Sequence, residues 1–460
     1  MPPRSVFVCS SCGHQAPKWH GRGPGCSEWE TLDEETAEPT RSGGPAGRSG
    51  ARAQPLRPVP LADVEAPAVD RLVTGIGELD RVLGGGLVPA SLVLVGGEPG
   101  VGKSTLLLTA LGAISRSGRR ALLVTGEESS AQVALRAARL GGADRVEILA
   151  ETELDTVCAT LEAERPDVCV IDSVQTLHAS ALGSAPGSVA QVREAAGRLL
   201  RVAKAAGVAT VLVGHVTKDG AVAGPRVLEH LVDCVLQFEG DRYREHRVLR
   251  ATKNRFGSTN ELGVFEMTAA GLVGVPDPSE LFGSTHPGEI GAAVGCVLEG
   301  TRPILLEVQA LVAPTDLAMP RRVGTGVDPK RLAMIVAVLG RHAGIPLASA
   351  DVFVNVAGGV RIEEPGADLA VALAIASAAR GVPVREGCAV FGEIGLTGRL
   401  RQAAQAERRL EECAKMGIAT VVAPAGTASR ISLQIAAAES LRAAIAAGLD
   451  GSAGAAEAAA

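Results

Sequence analysis

An α/β protein built on a mostly parallel sheet is what this 460-residue sequence predicts, and three observations predict it. Five short Val/Leu/Ile-rich runs, SLVLVGG, ALLVTGEE, DVCVIDS, ATVLVGH and DCVLQFE, recur between residues 72 and 267. Their near-continuous apolar content is that of strands covered on both faces. Amphipathic stretches such as SVAQVREAAGRLLRVAKAAG separate them, and this alternation belongs to a parallel sheet with crossover helices. Apolar residues are 46% of the chain, enough for more than one core. At roughly 100–200 residues per domain, two or three domains are expected. Aromatics are only 2%, so the cores must be Ala, Val and Leu.

The formal charge of −6 argues against wholesale coating by nucleic acid but leaves room for a local basic channel. Of nine cysteines, six (Cys158, Cys169, Cys234, Cys296, Cys388, Cys413) stand singly in apolar segments and read as buried thiols. The sequence begins without a signal-peptide pattern, and no uninterrupted apolar run approaches ~18 residues. A reducing cytoplasm and no membrane contact are the expectation.

Residues 1–30 are Cys/Gly-rich and too short for an apolar core. Within CSSCGHQAPKWHGRGPGC, Cys9 and Cys12 form one CxxC pair. The matching pair is broken, because Gly23 stands where a cysteine would and only Cys26 remains. Structural zinc usually takes four protein ligands in a tetrahedron. His20 is the first substitute for the missing thiolate and His14 the second; a three-thiolate Zn²⁺ site and a metal-free arm are the alternatives. Residues 31–70 carry six prolines with several Gly and Arg and no aromatic, the composition of a linker.

Residues 71–270 hold the α/β unit. The string GEPGVGKST comprises Gly97, Glu98, Pro99, Gly100, Val101, Gly102, Lys103, Ser104 and Thr105. It follows a strand and opens a helix, the context that the GxxxxGK[ST] phosphate loop requires. Glycines let backbone N–H groups close around phosphate oxygens, and the helix N-terminus adds positive potential. Lys103 then reaches the β- and γ-phosphates of ATP, and Ser104 ligates Mg²⁺. Asp172 ends the VCVIDS run, where an acid is placed to hold the Mg²⁺ shell or, more plainly, to cap a helix. Glu127 and Glu128 end another strand, and one of them can orient the attacking water as general base. Glu127 is preferred; two solvated loop carboxylates are the plainer alternative. His215 ends the next strand and can sense the γ-phosphate or serve as a structural histidine.

The segment TGIGELDRVLGGGLVPASLVLVGGEPGVGKSTLLL is similar to the opening of RecA-like recombinase ATPases. Together with VTGEES, VIDSVQT, GHVTKDGAVAGPRVLEHLVD and KNRFG, it resembles the RadA (Sms) family over roughly residues 5 to 450. The resemblance implies a DNA-dependent ATPase that processes recombination intermediates in DNA repair. It implies partners too: single-stranded and branched DNA, the RecA recombinase, and further copies of the chain in a hexameric ring that drives branch migration. It also implies a four-cysteine zinc finger with KW between the pairs, matched here by Lys18-Trp19 but not at Gly23. A nucleotide-switched regulator without motor activity is the alternative class.

KNRFG comprises Lys253, Asn254, Arg255, Phe256 and Gly257. Two cations one residue apart beside an aromatic suit phosphate contact, either on a DNA backbone or on a neighbouring subunit's ATP. The resemblance assigns the motif to coupling ATP hydrolysis with DNA work. Residues 184–193 are a candidate DNA-facing loop; Arg198, Arg201 and Lys204 follow at helical spacing and read equally as a solvated face.

Residues 271–285 form another connection, and a second α/β unit follows over 286–447. Its motifs, from residue 351 onward, include GGVRIEEPGADLAVALAIAS and FGEIGLTGRLRQAAQAERRL, which resemble the Lon protease domain. That chemistry needs a Ser nucleophile beside a Lys base. In this resemblance the Ser position falls at Gly366 and the Lys position near Glu407, so an inactive scaffold is expected and an ATP-dependent protease is the weakest alternative. Arg321, Arg322, Lys330 and Arg331 are candidates for a DNA-guiding surface. Residues 448–460 are low complexity.

Overall fold

The computed structural model describes residues 4–9, 15–22, 24, 29, 32–37, 60, 70–215, 226–240, 246–269, 271–282, 288–428 and 430–450. The chain divides into two compact units, Met1–Thr259 with Gly263–Gly274, and Asn260–Leu262 with Val275–Ala460.

At the start of the first unit β1 (Arg4–Cys9), β2 (Gln15–Ala16) and β3 (Leu32–Ala37) form a small antiparallel sheet with β1 in the middle. Composition alone places residues 32–37 in the linker; the structure pairs them with β1 instead. Their sequence, LDEETA, carries a single large apolar residue, Leu32, which is buried.

The main sheet of this unit has nine strands. In chain order they are β4 (Leu92–Gly97), β5 (Ala121–Thr125), β6 (Glu147–Ala150), β7 (Val168–Asp172), β8 (Ala209–His215), β9 (Cys234–Glu239), β10 (His246–Asn254), β11 (Leu262–Thr268) and β12 (Gly271–Gly274). In space the order is β12-β11-β10-β9-β4-β8-β7-β5-β6. From β9 to β6 every pairing is parallel. All five runs picked out in the sequence are strands of this parallel part. The antiparallel edge escapes such a scan because β10 alternates half-buried and buried residues. The helices are α1 (Gly77–Leu83), α2 (Lys103–Arg116), α3 (Ser130–Leu140), α4 (Leu154–Glu164), α5 (Val189–Ala206) and α6 (Arg226–Leu231).

Strand β4 shows why a continuous apolar run is needed. Val93 and Val95 pack with Leu106, Leu111 and Ile114 of α2 on one face. Leu92 and Leu94 pack with Leu161 of α4 and Leu199 of α5 on the other. Side chains alternate across a strand, so covering both faces leaves no polar position. Gly207, at φ +78°, then lets α5 stop in a left-handed turn just before β8.

In the second unit, α7 (Pro278–Phe282) precedes a seven-stranded sheet with order β15-β16-β14-β13-β17-β20-β21. Its strands are β13 (Ala292–Glu299), β14 (Arg302–Pro314), β15 (Arg322–Thr325), β16 (Ala350–Val356), β17 (Cys388–Val390), β20 (Thr420–Pro424) and β21 (Gln434–Ala438). A separate two-stranded ribbon joins β18 (Glu393–Ile394) and β19 (Leu400–Arg401). Helices α8 (Pro329–Val338), α9 (Asp368–Arg380), α10 (Ala406–Lys415) and α11 (Leu441–Gly448) complete it. Helix α9 is buried from Asp368 to Ser377. Of the predicted connection over 271–285, the described part, 271–282, contains β12 and α7.

All six singly placed cysteines are buried thiols. Burial pushes the Cys234 thiol up to about 12 and that of Cys388 up to about 11. A thiol held that far from its thiolate is inert at neutral pH. Among the described residues no helix is long and apolar enough to cross a membrane.

Candidate active site

Strand β4 delivers the phosphate loop at its C-terminal end, and α2 leaves it at Lys103. The glycines are there for space and conformation. A Cβ on Gly97 would meet the Phe238 carbonyl oxygen at 2.6 Å, and one on Gly102 would meet Leu272 Cδ1 at 2.6 Å. Gly102 also has φ +114°, which L-residues avoid. Glu98, Pro99 and Gly100 are exposed, Val101 is buried, and Ser104 and Thr105 are half-buried in the first turn of α2. Lys103 is buried and folds back into the loop, its Nζ donating to the carbonyl oxygens of Gly97 at 2.8 Å and Glu98 at 3.0 Å. Burial pulls its pKa down, while the charges of Asp172 and Glu127 pull it up. The ammonium is therefore within electrostatic reach of both carboxylates.

Asp172 ends β7, and Glu127 and Glu128 follow β5; the two strands are adjacent, with Thr125 opposite Asp172. The two glutamates have different surroundings. Ser173, fully buried, donates from its hydroxyl to Glu127 Oε1 at 2.6 Å. Glu128 is ion-paired with Arg136 of α3, and its backbone is held by Thr125 Oγ1. His215 closes β8, with its backbone in register with Gly97 on β4; its side chain lies outside the described residues. Gly97, Lys103, Glu127, Asp172 and the backbone of His215 thus meet at one edge of the sheet. This donor set fits a triphosphate with Mg²⁺: an ammonium, a hydroxyl at the helix start, and a carboxylate two strands away, on β7 beyond β8.

KNRFG lies at the opposite edge. Asn254 pairs with Cys234, which pairs with Val93 near the start of β4. Five residues separate Leu92 from Gly97, about 17 Å at the rise of a strand. Lys253, Asn254 and Phe256 make their bonds within the fold. Lys253 Nζ donates to the carbonyl oxygens of Glu229 at 2.6 Å and Val232 at 2.8 Å, at the end of α6. Asn254 donates to Val82 O at the end of α1 and accepts from Phe256 N at 2.9 Å. The Phe256 carbonyl accepts from Arg71 at 2.6 Å. Arg255 differs: it pairs with Asp233 Oδ1 at 3.1 Å, yet 53% of its side chain is exposed. Gly257 packs against Gly84.

The loop at 184–193 is tightly organised. Gln191, buried at the start of α5, donates from Nε2 to the carbonyl oxygens of Leu182 and Ser184 and accepts from Ala179 N. Arg198 pairs with Asp155 of α4, whereas Arg201 and Lys204 are exposed.

In the second unit, Gly366 offers no nucleophile of its own, and its surroundings leave little room for a side chain. A Cβ there would lie 2.8 Å from Glu364 Oε2 and 2.9 Å from Arg409 Nη2. Arg409 is completely buried, donating to Glu364 Oε1 at 2.7 Å and Oε2 at 2.5 Å, to Cys296 O at 2.5 Å and to Ala404 O at 2.9 Å. Its guanidinium also lies 5.5 Å from the Phe391 ring centre. Glu407, near which the resemblance places the lysine, is half-exposed and paired with Arg430. Two residues in a helix are about 200° apart, so Arg409 faces Gly366 while Glu407 faces away. Arg321 and Arg331 are each paired, with Asp351 and Asp368; Arg322 donates to Leu347 O at 2.6 Å; Lys330 is exposed.

In the arm, Cys12, Cys26, His14, Gly23 and the side chain of Cys9 lie outside the described residues, and so does the expected zinc site. His20 is half-buried; Trp19 and Trp29 are exposed. Among the described residues no cluster of three metal-binding side chains occurs. Sequence reasoning missed Ser173, Arg136 and Asp233. The first sits beside Asp172 and the last just before β9, but nothing in their residue types marks them.

Family profiles match three parts of the chain: the AAA domain at residues 57–221, the rubredoxin metal binding domain at 7–34, and subunit ChlI of Mg-chelatase at 330–427. The DNA repair protein RadA of Bacillus subtilis (strain 168) is 45% identical over 424 residues, 92% of this chain and 93% of that protein. That of Pseudomonas aeruginosa is 49% identical over 429 residues, covering 93% and 94%. That of Escherichia coli (strain K12) is 47% identical over 434 residues, covering 92% and 93%. Among solved structures, a KaiC-like protein from Pyrococcus horikoshii OT3 matches 45% of this chain and 100% of its own at 22% identity, with a TM-score of 0.39.

Proposed function

The chain belongs to the family of the bacterial DNA repair protein RadA, and from that premise we propose that it is a DNA-dependent ATP hydrolase that drives branch migration at recombination intermediates. It works as a hexameric ring on single-stranded DNA, on branched substrates made by the RecA recombinase, in the cytoplasm. The convergence of Lys103, Asp172 and Glu127 at one sheet edge carries this proposal, because phosphoryl transfer is chiefly a matter of positioning and electrostatics. Amides of residues 97–105 and the Lys103 ammonium bind the triphosphate. Ser104 and Asp172 would hold Mg²⁺, which neutralises charge on the phosphate oxygens when bound.

Glu127 is the base that orients the attacking water, since Ser173 points its carboxylate while Arg136 neutralises Glu128. His215, level with Gly97, senses the γ-phosphate. Arg255 is the outward cation of KNRFG. Tied through Asp233 to Leu92, which lies about 17 Å along β4 from the phosphate loop, it serves DNA or a neighbouring subunit. In the arm, Cys9, Cys12 and Cys26, with His20 as the fourth ligand, would hold Zn²⁺; the rubredoxin-type match at residues 7–34 supports this. The second unit is a scaffold without proteolytic chemistry, in keeping with the filled space at Gly366.

The test is ATP turnover with and without single-stranded DNA, with casein as a protease substrate. Stimulation by DNA with casein intact is expected. Turnover indifferent to DNA would leave only a nucleotide-switched regulator.

A further inference from the structure

Asp233 has no part in phosphate binding, yet every polar group it owns is used, and used in two directions. Toward the phosphate-loop strand, its N–H donates to Leu92 O at 2.8 Å and its Oδ2 accepts from Leu92 N at 3.1 Å. Toward KNRFG, its carbonyl oxygen accepts from Arg255 N at 3.0 Å and its Oδ1 accepts from Arg255 Nη1 at 3.1 Å. The carboxylate is buried and the guanidinium is half-exposed. A buried carboxylate is costly unless paired and hydrogen-bonded, so this clasp is strongly directional. The guanidinium has five N–H donors, and Asp233 takes one side of it. The rest of this guanidinium belongs to a side chain that is 53% exposed.

We propose that Asp233 is the positioning residue of the coupling motif: it anchors Arg255 to the first residue of the phosphate-loop strand and aims its free donors at a phosphate brought from outside the subunit. This rests on the proposal that KNRFG couples hydrolysis to DNA. The phosphate belongs either to the DNA backbone or to a neighbour's nucleotide, and both offer the same oxyanion chemistry to a fork of donors.

The experiment uses the full chain with Asp233→Asn. Asparagine keeps one oxygen for Leu92 N but turns an NH₂ group toward Arg255, breaking that half of the clasp alone. The ratio of DNA-stimulated to basal ATP turnover is expected to fall about tenfold, the effect of losing one charge-assisted bond. Nucleotide affinity within about twofold of wild type certifies the fold. Should the asparagine variant not fold, Asp233→Glu carries the test, since one extra methylene displaces the guanidinium while preserving its charge. Arg255→Ala must abolish the effect of Asp233→Asn, the double variant being no worse than Arg255→Ala alone. If DNA affinity falls with the ratio, the phosphate is DNA's; if affinity holds and DNA-saturated turnover falls, it is a neighbour's nucleotide. An Asp233→Asn ratio equal to wild type, with Arg255→Ala defective, overturns the role of Asp233. An Arg255→Ala ratio equal to wild type overturns the coupling proposal beneath it.

Discussion

Two glycine turns run into buried helices in this molecule, one in each unit, and they have opposite characters. Before α2, Gly97 and Gly102 keep side chains out, so the backbone closes on itself around the Lys103 ammonium. Before α9, Gly366 also keeps a side chain out, but the space is already filled by the Arg409–Glu364 ion pair. The first turn is a cradle and the second is a plug. A glycine at a helix start therefore says nothing about function by itself. What decides is which groups converge on the space it leaves.

The largest effect expected from this contrast is at the cradle. Lys103→Ala should lower ATP turnover by at least ~10²–10³-fold, the usual cost of removing a preorganised charge at a developing anion. Turnover near wild type would remove the cradle from the account. At the plug, Arg409→Ala leaves Glu364 without its bidentate partner, and the second unit should lose about 3–5 kcal/mol of stability. Urea unfolding followed in that unit checks it, and an unchanged midpoint would mean the pair is dispensable. Gly366→Ser restores a hydroxyl but not the room for it. It should destabilise the same unit by about 1–3 kcal/mol through overpacking and give no casein cleavage; cleavage would show the plug to be a site. The smallest effect separates the neighbouring glutamates: Glu128→Gln should change turnover by less than about twofold, the range of a surface ion pair, whereas Glu127→Gln should nearly abolish it. Reversed outcomes would exchange their roles.

Much of this was legible in the sequence because it depends on local pattern. The parallel strands announce themselves through unbroken apolar runs, and the phosphate loop through glycines at fixed offsets between strand and helix. Strand β3 was hidden because LDEETA lacks apolar alternation, and its pairing with β1 is a tertiary fact. The place of Arg409 beside Gly366 escaped the sequence because spacing along a chain does not reveal the helix face, and Arg409 and Glu407 differ by about half a turn. Ser173, Arg136 and Asp233 matter through partners 46, 8 and 22 residues away, which no local motif encodes. KNRFG stood out as a string, but only the sheet register shows that Lys253 and Asn254 brace helix ends while Arg255 faces out.

The central claim is that hydrolysis at one edge of a sheet is tied to DNA through a cation held at the other. Its most direct test is the ratio of turnover with saturating single-stranded DNA to turnover without it, for wild type and for Arg255→Ala. A ratio well above one in wild type that collapses toward one in the variant is the predicted result. Equal ratios in both proteins would contradict the claim.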